Sequence, residues 1–188
     1  NRIKYNFKDK NLLRQAFTHS SYSNENNVLS NERMEFLGDA LLNLIIADFL
    51  YKKYPDIDEG KLTQKRSCIV SAKPLSEAVW ALKLEELLLL GEGEKKSAYK
   101  NVNIAADLFE SVTAAIYLDG GIACAARFIK YALSRHLNGG GKSKSGNDSK
   151  SELSQYCQKN YGEKVKYKLI KQEGSAHMPY FTVAAEFG

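Results

Sequence analysis

Apolar residues recur at helical spacing through most of the first 138 positions. Between 32 and 54 they fall at Phe36, Leu37, Ala40, Leu41, Leu44, Ile45 and Phe49, close to the 3.6-residue period of an amphipathic helix. Pro55-Asp56 then ends the run, because proline cannot continue a helix. Residues 104–118 repeat the pattern with Ile104, Leu108, Val112, Ala115 and Ile116, and Asp119-Gly120-Gly121 stops it. Asn103 is placed to cap that helix. Weaker periodicity predicts helices over 11–18, 61–71, 74–82 and 122–137, and strict two-residue alternation is missing from this whole part.

The pattern changes at Gly139–Ser151, which reads GGGKSKSGNDSKS and holds no apolar residue. Such a stretch has nothing to bury and is expected to be a flexible linker. Beyond it, Lys150–Lys159 predicts a short helix, and Val165-Lys166-Tyr167-Lys168-Leu169 alternates as a half-buried strand does. Gly174-Ser175 predicts a turn, and Phe181, Val183, Ala185 and Phe187 alternate again. The expected organisation is therefore an all-α domain over 1–138, a Gly/Ser/Lys linker over 139–147, and an α+β module over 148–188.

At 188 residues with 44% hydrophobic content, the chain can build a core without a disulfide or metal staple. Its cysteines, Cys68, Cys124 and Cys157, are odd in number and form no C-x-x-C pair, so buried, reduced thiols of a cytoplasmic protein are expected. Apolar runs such as Leu44–Ala47 fall well short of the roughly 20 residues that span a bilayer, and no membrane partner is expected. No secretory signal is visible, and the start at Asn1 rather than Met implies processing or trimming. The net charge of +5 hints at a polyanionic partner. Resolved by segment, residues 1–138 carry 19 Lys+Arg against 17 Asp+Glu, whereas 139–188 carry 8 against 5. The basic excess lies in the tail.

Acids on apolar helices are the candidate chemistry. In NERMEFLGDALL (31–42), Glu32, Glu35 and Asp39 stand at i, i+3 and i+7 and share one helix face. Asp107 and Glu110 form a second i, i+3 pair among Ala105, Ala106, Ala114 and Ala115, small residues that let two helices approach closely. Like charges so placed repel, and a hard divalent cation such as Mg²⁺ is the natural counterion for facing carboxylate pairs. Taken singly, an acid in the first turn of a helix needs no function, since it answers the helix dipole. Other schemes lack their residues. His19, His136 and His177 have no H-E-x-x-H spacing, no Ser sits in G-x-S-x-G, and there is no phosphate-binding G-x-x-x-x-G-K-[ST] loop. His19 is expected to be a partly buried, satisfied side chain on the first helix.

NERMEFLGDALL resembles the signature of ribonuclease III. AFTHSSY (16–22), EGKLTQKRSCIVS (59–71), LLLLGEGE (87–94) and ADLFESVTAAIYLDGG (106–121) resemble that family's landmarks in order and spacing. Ser149–Gly188 resembles the first part of a double-stranded-RNA-binding domain, whose α-β-β-β-α order lacks its last strand and helix here. The resemblance implies a Mg²⁺-dependent endonuclease, with Mn²⁺ able to substitute, that hydrolyses both strands of duplex RNA. It implies 5′-phosphate and 3′-hydroxyl ends with short 3′ overhangs, and work on ribosomal, messenger and other structured RNA precursors. By motif match, Glu35, Asp39, Asp107 and Glu110 are the implied metal ligands, with Asp39, Glu110 and Glu32 as catalytic acids. A homodimer is implied, with Phe36 packing into the partner. Phe36 is equally readable as an ordinary core aromatic from its pattern alone. Lys150, Gln155 and His177 are the implied RNA contacts, and the tail is expected to be a fragment of a longer domain. Two other readings stay open on the sequence: a non-cleaving duplex-RNA binder built on a relic nuclease fold, and an all-helical Mg²⁺ pyrophosphohydrolase, which has no use for an RNA-binding tail.

Overall fold

The long apolar runs become helices because their buried faces can pack on one another. A computed structural model of the chain describes residues 2–94, 101–138, 149–162, 164–175 and 178–186. The first unit, Asn1–Lys142, contains α1 (Lys10–Ala16), α2 (Ser20–Asn26), α3 (Glu32–Lys53), α4 (Glu59–Ile69) and α5 (Ala72–Ala81). It continues with α6 (Val102–Gly120), α7 (Ile122–Ala132) and the single turn α8 (Ser134–Leu137). The second unit, Ser143–Gly188, holds α9 (Ser149–Tyr161) and an antiparallel pair, β1 (Lys166–Ser175) and β2 (Met178–Glu186). An all-α unit thus precedes a unit of one helix and an antiparallel strand pair, as expected. The linker expected at 139–147 lies outside the described residues.

Helix α6 is the axis of the first unit, with α1, α3, α5 and α7 packed around it. Leu108, Phe109, Val112, Ala114, Ala115 and Ile116 along it are fully buried. Each large side chain so buried contributes about 1.5–3 kcal/mol relative to exposure. Phe109 stacks on Phe128 of α7 with ring centroids 5.3 Å apart. Asn101, not Asn103, caps α6: its side chain accepts from the Asn103 and Ile104 N–H groups, so Asn103 is already inside the helix. At the far end, Asp119 accepts from the Tyr5 hydroxyl (2.7 Å) and from the backbone N–H groups of Lys8 and Asp9 (both 2.9 Å). That carboxylate ties the N-terminal segment to the end of α6.

Several expectations shift in detail. The core face of α3 is Met34, Gly38, Leu41, Leu42, Ile45, Ile46 and Leu50, whereas Phe36 and Leu44 stand out to solvent. The helix carries apolar residues on two faces, so periodicity alone does not say which face is buried. Helix α1 stops at Ala16, and His19 instead caps α2 by accepting from the Ser21 N–H. Helix α2 has the polar sequence SSYSNEN, which shows no apolar period. The expected 122–137 helix breaks into α7 and α8 at Leu133. Cys157 is buried and Cys124 partly so, but Cys68 is exposed on α4, where the surrounding side chains are too polar to bury it. In the second unit, pairing runs through Gly174↔Pro179 to Ser175↔Met178, so Gly174 and Ser175 belong to β1 rather than to a turn. No described helix is long and apolar enough to cross a membrane.

Candidate active site

The site forms where α3 and α6 lie closest, and one glycine makes that approach possible. A Cβ built on Gly38 would sit 2.0 Å from the Glu110 carbonyl oxygen and 2.4 Å from its carbon. No side chain fits there, so the two backbones touch at the level of their acids. The small residues foreseen on α6 line its buried face, but the contact that sets the spacing is Gly38 against Glu110. A buried polar link holds the start of α3 in place: the Asn31 N–H donates to the Thr18 carbonyl at 2.8 Å. The Ser111 hydroxyl reaches both the Asp107 carbonyl (2.7 Å) and the Asn31 carbonyl (3.4 Å).

Across this contact Glu35 of α3 meets Asp107 and Glu110 of α6, with one oxygen from each within 4.8 Å of the others. All three are partly buried. Glu110 responds most: burial first, then the charges of Asp39, Asp107 and Glu35, push its carboxyl up to about 8. Burial also raises Glu35, helped by Asp107, Glu32 and Asp39. Asp107 is raised by burial, and the His19 ring draws it part of the way back. His19 is held for that role: its Nδ1 accepts from the Ser21 N–H, and the Ser21 hydroxyl in turn accepts from the Gly91 N–H. Carboxylates crowded until one holds its proton near neutral pH are short of positive charge. Hard oxygen donors in such an arrangement suit a small divalent cation, so the residues present fit Mg²⁺.

Glu32 and Asp39 stand at the edge of this cluster. Glu32 is exposed and accepts from the Ser30 hydroxyl at 2.8 Å. Asp39 is exposed too, yet its charge is the largest of those acting on Glu110. One of its oxygens accepts from the Asn43 side-chain amide at 2.8 Å. Phe36, on the neighbouring stretch of α3, is 80% exposed and is no part of the core. Of the candidate RNA contacts, Lys150 and Gln155 lie on α9 with side chains outside the described residues, and His177 lies wholly outside them. Gly38, Asn43 and Ser111 are residues of the site that the acidic motifs do not single out. The glycine inside an otherwise unbroken helical run was the available signal for a close backbone approach.

Comparison with known proteins places both units. A family model described as Ribonuclease-III-like matches residues 9–137, and one described as Double-stranded RNA binding motif matches 149–188. The chain is 41% identical over 175 residues to a protein named Ribonuclease 3 from Enterococcus faecalis, covering 91% of this chain and 76% of the relative. It is 41% identical over 181 residues to a Ribonuclease 3 from Streptococcus uberis, covering 94% and 78%. Among solved structures it is similar to the nuclease domain of ribonuclease III from Campylobacter jejuni, a structure concerned with flexibility in that domain's dimer-forming region. The TM-score is 0.68 at 31% identity, over 72% of this chain and 94% of that one.

Proposed function

The chain belongs to the ribonuclease III family and is an endoribonuclease acting on double-stranded RNA; from that premise we propose that it is a Mg²⁺-dependent homodimer in which each subunit cuts one strand. The observation that carries this reading is the convergence of Glu35, Asp107 and Glu110 on one partly buried point between α3 and α6. These three would hold the cation, with Asp39 beside them and Glu32 supporting from the edge. Mn²⁺ offers the same charge to the same oxygens and would substitute. When bound, the cation supplies the charge that activates water and stabilises the phosphodiester as it is cleaved to 5′-phosphate and 3′-hydroxyl ends.

The chain's own part is positioning and proton bookkeeping. Glu110 must give up its proton before it can act as a ligand, so loading the site releases a proton below about pH 8. Gly38 keeps the α6 acids within reach of Glu35, and Asn31 with Ser111 fixes the two helices in register.

Dimer formation draws support from the outer face of α3. Phe36, Leu44 and Tyr51 are 80%, 56% and 74% exposed, and they line one side of the helix. Large apolar groups in a row on a soluble surface mark an interaction site. A second copy with its own acidic cluster would let the pair cut both strands, leaving short 3′ overhangs. In the tail, Lys150, Gln155 and His177 would contact the minor grooves and phosphates of the duplex, which proteins read by shape more than by base sequence. We assign 1–138 to the nuclease domain, 139–147 to the linker and 148–188 to the RNA-binding part. Cytoplasmic ribosomal, messenger and other structured RNA precursors are the natural substrates on this reading.

The test is a long, perfectly paired, end-labelled RNA with Mg²⁺ or with EDTA. Metal-dependent cutting to 5′-phosphate products with staggered 3′ ends is expected, from a protein that sediments as a dimer. Cutting of single strands with the duplex left intact would overturn it.

A further inference from the structure

Asp39 presents a physical difficulty that Asn43 resolves. The aspartate is exposed on α3, one turn past Glu35, and its charge acts on two neighbouring carboxylates, Glu35 and Glu110. Repulsion of that kind favours any rotamer that swings Asp39 into water, away from the cluster. Nothing cationic pairs with it among the described contacts. Instead the Asn43 Nδ2 donates to the Asp39 side-chain oxygen at 2.8 Å and to the Asp39 backbone carbonyl at 3.0 Å. An amide nitrogen has two N–H groups, and both acceptors within reach belong to the same residue, four positions back on the helix. The amide is therefore anchored to the backbone by one bond and grips the carboxylate by the other.

We propose that Asn43 is a positioning residue that holds the Asp39 carboxylate at the acidic cluster, one oxygen bound and the other free to serve a cation. The inference rests on the metal site proposed above and adds the group that orients its exposed aspartate. The choice of residue fits the task. A lysine at position 43 would grip Asp39 as well, but its charge would compete with the cation for the site. A neutral donor orients without neutralising. Partners that hold a ligand from behind in this way commonly change metal affinity by about 10–100-fold when removed.

The test measures Mn²⁺ binding by the electron paramagnetic resonance signal of the free ion, in the full chain and without RNA. Asn43→Ala is expected to weaken binding about tenfold, with the metal-free melting temperature little changed. Asn43→Gln, which restores a donor, should recover most of the affinity. In an Asp39→Ala background, Asn43→Ala should have no further effect, because the group it positions is gone. Wild-type affinity in Asn43→Ala, or the same tenfold loss with Asp39 already removed, overturns the proposal. Failure of the wild-type chain to bind Mn²⁺ at all refutes the metal site itself instead. Should Asn43→Ala not fold, the wild-type protein still decides the matter by NMR. The Asn43 side-chain amide signal must move in Asp39→Ala, and an unmoved signal excludes the contact.

Discussion

Adding one methyl group at Gly38 should disable the site while leaving most of the fold standing. The new Cβ would lie 2.0, 2.4 and 2.9 Å from the carbonyl oxygen, carbonyl carbon and Cα of Glu110. Carbon and oxygen settle at about 3.3–3.6 Å in weakly favourable contacts, so α3 and α6 must part by more than about 1 Å at this level. These are backbone atoms, and no side-chain rotation relieves them. Overpacking of this kind costs about 1–3 kcal/mol, offset in part by the roughly 0.8–1 kcal/mol that alanine gains over glycine within a helix. The net loss of about 0–2 kcal/mol lowers the melting temperature by up to several degrees in a domain of this size. Activity should fall much further, because the displaced backbone is that of Glu110, and misplacement by about 1 Å can cost about 100-fold in rate. Calorimetry and initial rates on duplex RNA at a temperature where Gly38→Ala is folded would separate the two effects. A melting temperature raised above wild type, as helix propensity alone dictates, together with undiminished cleavage, would refute the reasoning.

Other expectations follow from the same contacts. Because burial and neighbouring acids raise Glu110 to about 8, its contribution to metal-free stability is fully present below the ordinary glutamate value and is lost as pH rises through about 8. Melting temperatures in EDTA should therefore fall across pH 5–9, and Glu110→Gln should flatten that profile. The Tyr5 hydroxyl, pushed up to about 12 chiefly by its hydrogen bond to Asp119, should titrate nearer its ordinary value of 10.0 in Asp119→Ala, as read by ultraviolet absorbance. In the same variant the Lys8 and Asp9 amides lose their acceptor and should exchange faster with deuterium. Phe36→Ser should turn a dimer into a monomer by sedimentation with an almost unchanged melting temperature of the monomeric fold, since that ring is 80% exposed.

Much of the nuclease domain could be read from its residues, and the misreadings have physical causes. Helices α3 and α6 announce themselves because both combine apolar period with a defined stop, and their paired acids point to a shared site. The inner and outer faces of α3 were not separable, because Phe36 and Leu44 are as apolar as the Leu42 and Ile46 that fill the core. Helix α2 escaped notice because it is held by end contacts: His19 caps its start, and Asn27, in left-handed conformation, closes its end. Asn101 and Asn103 are chemically identical capping candidates, and the backbone path decided between them. Gly174 and Ser175 suggested a turn on local preference, but cross-strand pairing extends β1 through both. Gly38 and Asn43 show the limit most clearly. Each matters through what it touches, Glu110 across the helix contact and Asp39 one turn back; a glycine within a helical run signals a close approach, but neither composition nor period names the partner.

The account stands most directly on Glu110, the carboxylate that burial and its neighbours have pushed furthest from its ordinary value. Glu110→Gln preserves the shape of the side chain and removes only its charge. With Mg²⁺ and a long RNA duplex, the variant should bind RNA as the wild type does and cut it barely at all. Cleavage by Glu110→Gln at the wild-type rate, or by the wild-type chain in EDTA, would contradict the carboxylate site as the seat of hydrolysis.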